Sequence, residues 1–478
     1  MHNNQNTIQD EFHKEFERAK RHGQEHVFRF WDELNLQERE HLLKSSKRID
    51  YEFISNLYNK CLATKEVEVF DNLEKPDVVS KYPHTKEHDI AKNLSIDAIK
   101  RHELALFVVA GGQGSRLGFD GPKGLYPATP IMHKSLFEVF AQKILAAQKT
   151  YNTKLHWYIM TSEGNNSQTI DFFEKNNYFL LDKDKVHFFK QVGDLPSVDK
   201  SGKVLLKNKH DISCNPNGTA GIYASLVEGG MIDDMKSHGI KYLSYFNVDN
   251  PLVDIVDILF LGFHLYHNSE FSIKVVPKRS HDEPVGVFVK TNNTHKILEY
   301  VNIPKHISEK RDESGELFFK AGSIAIFILE VDYIKRIFDN NLIDFSFAAL
   351  KKIPYIDDNG NHITPEKPNA YKFEAFAFDV MHHARKCLAF EIRRDEEFAP
   401  IKNATGEDSP ESAYKMQTAL FKSWFTYAGI SHSIINNLKK LEISPLYAID
   451  KEEFKHKVSK HISEIEKKLK DVDEYYFE

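Results

Sequence analysis

From residue 104 the sequence alternates short apolar runs with amphipathic segments, and that alternation restricts the fold more than any other feature. LALFVVA, LHWYIMTS, VHFFKQ, YLSYFNV, FSIKVV and VGVFVK read as strands. Between the first two, KSLFEVFAQKILAAQ reads as a helix. Ser135 and Glu138 have the spacing of a capping box, and Phe137, Phe140, Ala141 and Ile144 share one face. Strands and helices in this order predict an α/β domain with a mainly parallel sheet. Such sheets bind ligands beyond the carboxyl ends of their strands. That places the loop after LALFVVA and the residues ending YFNVDN on one rim.

The loop itself, AGGQGSRLGFDGPKGLYP, holds five glycines from Gly111 to Gly121, a sixth at Gly124, and the cations Arg116 and Lys123. A GxGxxG dinucleotide fingerprint fails, because Leu117 stands where the third glycine belongs and no acid follows at a ribose-binding distance. A Walker A loop fails for want of GK[ST]. What remains is GGxGxRLG followed by GPKG. Glycines let backbone N–H groups close on a phosphate chain, an arginine forks onto two phosphate oxygens, and a lysine adds a point charge. A tight turn alone would explain the glycines but not both cations.

The rest of the chain sets the context. Residues 10–65 read as helices: Val27, Phe30, Trp31 and Leu34 fall at i, i+3, i+4 and i+7, Asn35 with Glu38 forms a capping pair, and Asp50 can cap a third helix. NLEKPDVVSKYPHTKEHD is a connecting segment without period. The last ninety or so residues mix strands such as CLAFEIRR with polar helices, among them KEEFKHKVSKHISEIEKKLK. A net charge of −6 argues against broad nucleic-acid binding but leaves room for a local basic pocket. Cys61, Cys214 and Cys387 are far apart, which suits a reducing compartment and supplies no thiolate metal site. The first twenty residues are too polar for a signal peptide, and no apolar run approaches a membrane span. The expectation is a cytoplasmic protein with no membrane partner.

Taken with FFKQVGDLPS, NPNGTAGIYASL, FNVDNPLV, EPVGVF, KKIPYID, KPNAYKFEAFAFD and DEEFAPIKNATG, the glycine loop resembles that of the nucleotide-sugar pyrophosphorylases. More narrowly, the chain resembles the eukaryotic-type UDP-N-acetylhexosamine pyrophosphorylases of the UDP-glucose pyrophosphorylase superfamily, from about residue 100 to 405. The resemblance implies a Rossmann-like nucleotidyltransferase domain, taken as residues 101–385. An N-terminal helical domain (1–100) precedes it and a small C-terminal α+β domain (386–478) follows. It implies that a sugar 1-phosphate attacks the α-phosphorus of UTP and that pyrophosphate leaves in line. Such chemistry rests on positioning and charge neutralisation, not on a protein nucleophile.

The resemblance also assigns roles. Arg116 and Lys123 match cations on the pyrophosphate side, and Lys372 a lysine that meets the phosphate of the sugar. Asp249, ending an apolar strand, is the candidate ligand for Mg²⁺ or Mn²⁺, with Asn250 a lesser one; the plainer reading of Asp249 is a cap on the next helix. Uridine recognition falls to the backbone of Ala110, Gly111 and Gly112, with Gln191 and Gly218. On the sugar side Gly286 and Glu299 are retained, but Thr219 and Ser323 stand where the N-acetylglucosamine enzymes carry asparagine. Two amide donors are thereby lost. N-acetylglucosamine 1-phosphate is the first-choice substrate, and glucose 1-phosphate or a broad sugar range the alternative. A catalytically silent sugar-nucleotide sensor and a nicotinamide oxidoreductase are disfavoured, the first by retention of both loop cations, Asp249 and Lys372, the second by the failed fingerprint.

Overall fold

The protein is described from a computed structural model for residues 2–63, 72–343, 345 and 347–478. The chain divides into two compact units, each assembled from three separate segments.

The smaller unit comprises Met1–Asp71, Val192–Ala224 and Asn341–Val380. Helices α1 (His2–Arg21), α2 (Leu36–Lys47) and α3 (Tyr51–Ala63) begin it. The Asn35–Glu38 capping box forms at the start of α2, and Asp50 Oδ1 accepts from Phe53 N–H at 2.9 Å. Val27, Phe30, Trp31 and Leu34 are buried, as their spacing suggests, yet they do not form an α-helix. The backbone makes two short 3₁₀ turns, Glu25–Phe28 and Trp31–Glu33. Tertiary bonds override the helical period here: Gln24 bonds Gly202 O and Val204 N–H, and His26 bonds Val204 O. Their core is shared with Val198, Leu206, Ile212, Ile356 and Phe373. An antiparallel sheet of Val198–Asp199, Ala370–Glu374 and Phe347–Lys351 completes the unit.

The larger unit comprises Asn72–Gln191, Ser225–Asn340 and Met381–Glu478. Its strands are β1 (Val78–Ser80), β2 (Leu104–Val109), β3 (His156–Thr161), β4 (Val186–Lys190), β5 (Tyr242–Asn247), β6 (Phe271–Pro277), β7 (Ala321–Glu330) and β8 (Cys387–Glu391). They lie in the order β1-β8-β6-β7-β5-β2-β3-β4. Only β7 runs antiparallel to its neighbours along this path. The VGVFVK run forms a hairpin, Val287–Thr291 with Thr294–Leu298, attached to β7. Helices α4 (Lys86–Lys100), α5 (Leu136–Tyr151), α6 (Asn166–Lys175), α7 (Met231–Ser237) and α8 (Ile258–Tyr266) accompany the sheet. The expected face of α5 is buried at Phe137, Phe140, Ala141 and Ile144. Its capping box is half made: Ser135 accepts from Glu138 N–H, while the Glu138 carboxylate turns to Gln142 Nε2 at 3.4 Å.

The C-terminal segment belongs to this unit and keeps a core of its own. Phe425 on α9 (Pro410–Ala428) packs with Phe454 and Phe477 beside a two-stranded parallel sheet, Lys440–Ile443 with Glu474–Phe477. The two units do not follow the expected boundaries at residues 100 and 385. Sequence texture separates contiguous stretches, whereas both cores recruit residues hundreds of positions apart.

Candidate active site

β2 is buried from Leu104 to Val108 and is followed by Ala110, whose N–H donates to Met160 O at 2.8 Å. The loop then folds back on itself: Gly114 N–H donates to Gly121 O at 2.9 Å and Lys123 N–H to Gly112 O at 3.0 Å. A side chain at Gly114 would not fit, since its Cβ would lie 2.8 Å from the Phe119 ring and 2.9 Å from the Phe119 carbonyl oxygen. This fold-back presents the two cations differently. Arg116 is exposed on the turn Ser115–Leu117 and has no hydrogen-bond or ion-pair partner among the described residues. Lys123 is buried, with Nζ 4.0 Å from Asp249 Oδ2. Burial lowers the Lys123 pKa; Asp249 partly opposes this, and Arg116 and Lys402 lower it further. Arg116 and Lys402 thus act on Lys123, although Lys402 Nζ also lies 3.4 Å from Asp408 Oδ2; a polyphosphate would neutralise such a field.

The rim is built by the parallel strands. Ala110 follows β2, Gln191 follows β4 with its N–H on Thr161 O at 2.8 Å, and Asp249 follows β5. Asp249 is no helix cap: Asp257 caps α8, accepting from Leu259 N–H and Phe260 N–H at 3.0 and 3.1 Å. Asn250 does not serve a ligand. It is buried, its Nδ2 donates to Glu397 O at 2.7 Å, and its Oδ1 accepts from Ala399 N–H at 3.0 Å and Leu252 N–H at 3.2 Å. In a nearby acidic group, Asp254, Asp257 and Glu397, the two buried members are also committed. Lys81 Nζ lies 3.1 Å from Asp257 and 2.6 Å from Glu397, and the fully buried Lys274 pairs with the same two acids.

Two residues at this rim escape sequence reasoning. Lys402 lies within the IKNATG stretch but carries no distinguishing spacing; it comes to the rim because Ile401 N–H donates to Asp249 O at 2.8 Å. Asn165 is buried, and its Nδ2 donates to Ala110 O at 2.9 Å and Gly112 O at 3.4 Å, while its Oδ1 accepts from Ser162 N–H at 2.8 Å. It holds the start of the glycine loop to the end of β3. Nothing in EGNNSQ distinguishes this asparagine from its neighbour.

The sugar-side residues of the larger unit also converge. A Cβ on Gly286 would lie 3.3 Å from Glu299 Oε1, and Ser323 N–H donates to Gly286 O at 2.8 Å. Burial raises the Glu299 pKa. Ser323 is buried, and its Oγ accepts from Ala325 N–H at 3.4 Å. Gly218, Thr219 and Lys372 belong to the smaller unit. Gly218 has φ +86°, and a Cβ there would lie 2.3 Å from Ala375 O, so only glycine suits this position. Thr219 Oγ1 accepts from Ala377 N–H at 2.9 Å, which leaves its O–H free to donate. Lys372 Nζ lies 2.7 Å from Glu374 Oε1. Lys372 also lowers the pKa of Asp194, which burial raises overall.

Residues 51–476 match the family described as UTP--glucose-1-phosphate uridylyltransferase. The chain belongs to that family. Its relatives include the UDP-N-acetylglucosamine pyrophosphorylase of Saccharomyces cerevisiae, 34% identical over 85% of this chain and 90% of that protein. UDP-N-acetylglucosamine diphosphorylase 2 of Arabidopsis thaliana is 33% identical over 90% of this chain and 88% of its own length. The fold is also that of the Trypanosoma brucei uridine diphosphate N-acetylglucosamine pyrophosphorylase, solved in complex with an inhibitor. The TM-score is 0.83 at 24% identity, covering 97% of each chain. The protein is therefore a nucleotidyltransferase of the UDP-sugar pyrophosphorylase kind, as its motifs suggest. No helix among the described residues is long and apolar enough to cross a membrane.

Proposed function

We propose that this enzyme makes UDP-N-acetylglucosamine and pyrophosphate from UTP and N-acetylglucosamine 1-phosphate. The observation that carries the reading is Lys123, buried with Nζ 4.0 Å from Asp249 Oδ2 at the carboxyl ends of β2 and β5, on a glycine loop that also carries Arg116. The names of its yeast and plant relatives favour the N-acetylated sugar. In the reaction an oxygen of the sugar phosphate bonds to the α-phosphorus of UTP while the bond to the β-phosphate oxygen breaks. Arg116 and Lys123 receive the charge that builds on the departing pyrophosphate, and Lys372 holds the phosphate of the incoming sugar. The backbone of Ala110, Gly111 and Gly112, with Gln191 and Gly218, orients the uridine. Gly286, Glu299, Thr219 and Ser323 face the sugar, with Glu299 accepting from its hydroxyls.

Asp249 suits Mg²⁺ or Mn²⁺. One hard carboxylate, uncommitted to any cap and set among phosphate-binding cations, is the donor set magnesium takes when phosphate oxygens supply further ligands. When bound, the ion would neutralise charge on those oxygens. The test is pyrophosphate release from UTP with N-acetylglucosamine, N-acetylgalactosamine and glucose 1-phosphates, with metal and with excess chelator. Release should be fastest with N-acetylglucosamine 1-phosphate and should stop in chelator, and Asp249→Asn should lose rate and metal dependence together. Undiminished turnover in chelator would remove Asp249 from the metal role. Faster turnover of glucose 1-phosphate would reassign the sugar.

A further inference from the structure

The amino-terminal ends of the same strands, opposite the glycine loop, carry a cluster that nucleotidyl transfer does not use. His156 opens β3, and His187 lies beside Tyr158 in the β3–β4 register, so the three rings share one face of the sheet. α7 supplies Asp234, and His238 follows four residues later at the end of that helix. The His156 and His238 ring centroids are 4.3 Å apart. Donor atoms of His156, Asp234 and His238 all lie within 4.8 Å of one another. We propose that His156, His238 and Asp234 form a second metal site, one that takes a single divalent transition-metal ion of the zinc class and is separate from the catalytic ion.

Two imidazoles and a carboxylate with an open fourth position are a donor set zinc commonly takes. The tautomers suit ligation. The Asp234 carbonyl oxygen lies 2.9 Å from His238 Nδ1 and can only accept, so Nδ1 carries the proton and Nε2 keeps its lone pair. His156 Nδ1 faces His187 Nε2 at 2.9 Å, while Lys185 Nζ, a donor, stands 3.2 Å from His156 Nε2. The lysine therefore marks Nε2 as the acceptor and occupies the direction a metal ion would take. His187 becomes the outer partner that fixes the His156 ring, as ligating histidines usually require. Tyr158 OH donates to Asp234 Oδ2 at 2.6 Å and orients the carboxylate in the same way. Tetrahedral zinc separates its donors by about 3.3–3.5 Å, so the three donors, within 4.8 Å of one another, would draw together around the ion. Lys185 must also withdraw from His156 Nε2. A plain packing role accounts for the stacked His156 and His187 rings, but not for a carboxylate and a third imidazole brought to the same point.

The ion would tie β3 to α7, so it should act on stability and leave turnover at the opposite rim unchanged. The test is titration of chelator-stripped full-length enzyme with Zn²⁺, followed calorimetrically, and with Co²⁺, followed by visible absorption, both in excess Mg²⁺. One equivalent should bind, the cobalt form should show the intense bands of a tetrahedral site, and the thermal midpoint should rise. His238→Ala, at an exposed position, should abolish stoichiometric binding; His187→Ala should weaken it about tenfold or more, and Lys185→Gln should strengthen it. Absence of a stoichiometric equivalent in the native enzyme overturns the proposal. So does Zn²⁺ binding that His238→Ala leaves unchanged, which would place the ion elsewhere on the chain.

Discussion

Lys123 is buried with one carboxylate 4.0 Å away, and burial, Arg116 and Lys402 all lower its pKa. Lys123→Ala should lower kcat by about 10²–10³, the usual effect of deleting one preorganised charge contact to a reacting group. Its thermal stability should not fall, because a buried charge of lowered pKa is removed. Near-normal kcat would detach the loop from the leaving group. The residues proposed to act on the sugar offer a second test. Thr219 Oγ1 and Ser323 Oγ both accept from backbone N–H groups, so each hydroxyl is held in place while presenting less reach than an asparagine amide. Thr219→Asn with Ser323→Asn should raise kcat/KM for N-acetylglucosamine 1-phosphate relative to glucose 1-phosphate. Two restored bonds at about 0.5–1.5 kcal/mol each correspond to roughly tenfold to hundredfold. A native preference for either sugar already above about a thousandfold would instead mean that these hydroxyls make selective contacts of their own.

At the scale of elements, the strands were the most legible part. LALFVVA, LHWYIMTS, YLSYFNV and FSIKVV are apolar runs that become central strands of the large sheet, where burial on both faces demands that composition; VHFFKQ becomes its edge strand, buried only at Val186 and Phe189. Short segments were less legible. The apolar spacing at residues 27–34 identified a buried face but not the backbone, which hydrogen bonds to residues 202–204 decide. The glycine loop shows the same limit. Its glycines and cations announce themselves, but its support comes from Asn165, one polar residue on a different loop. Asn165→Ala should leave the buried Ala110 carbonyl and Ser162 N–H without their partner, lowering stability by about 1–3 kcal/mol. The KM for UTP should rise more than kcat falls, since the loop is loosened while its charges remain. Urea unfolding and steady-state kinetics would read both, and an unchanged KM would exclude Asn165 as a positioning residue.

Across the whole molecule, pH and connectivity matter more than any single contact. His264 is fully buried, with Nδ1 2.7 Å from Ser272 Oγ, and burial lowers its pKa from 6.5 to about 3. His156 is held to a similar value. Between pH 6.5 and about 3 the unfolded chain binds protons that the folded chain refuses, so stability falls as pH falls through that window. A fully buried group of this kind contributes a slope of about 1.4 kcal/mol per pH unit. His264→Asn should remove one proton from that slope in urea titrations at pH 4 to 7, and an unaltered slope would show that His264 is not neutral in the folded state. The division into two interleaved units was the least legible feature, because membership depends on partners that no local pattern reveals. It also governs what happens on the ribosome. Phe28, Trp31 and Leu42 are made early, yet their core is closed by Ile356 and Phe373. At about 5–20 residues per second, roughly 15–60 s of translation separate the two. During that interval Phe28, Trp31 and Leu42 lack the late partners that close their core, so slower translation of the final third would lengthen the exposure of these aromatic and aliphatic side chains.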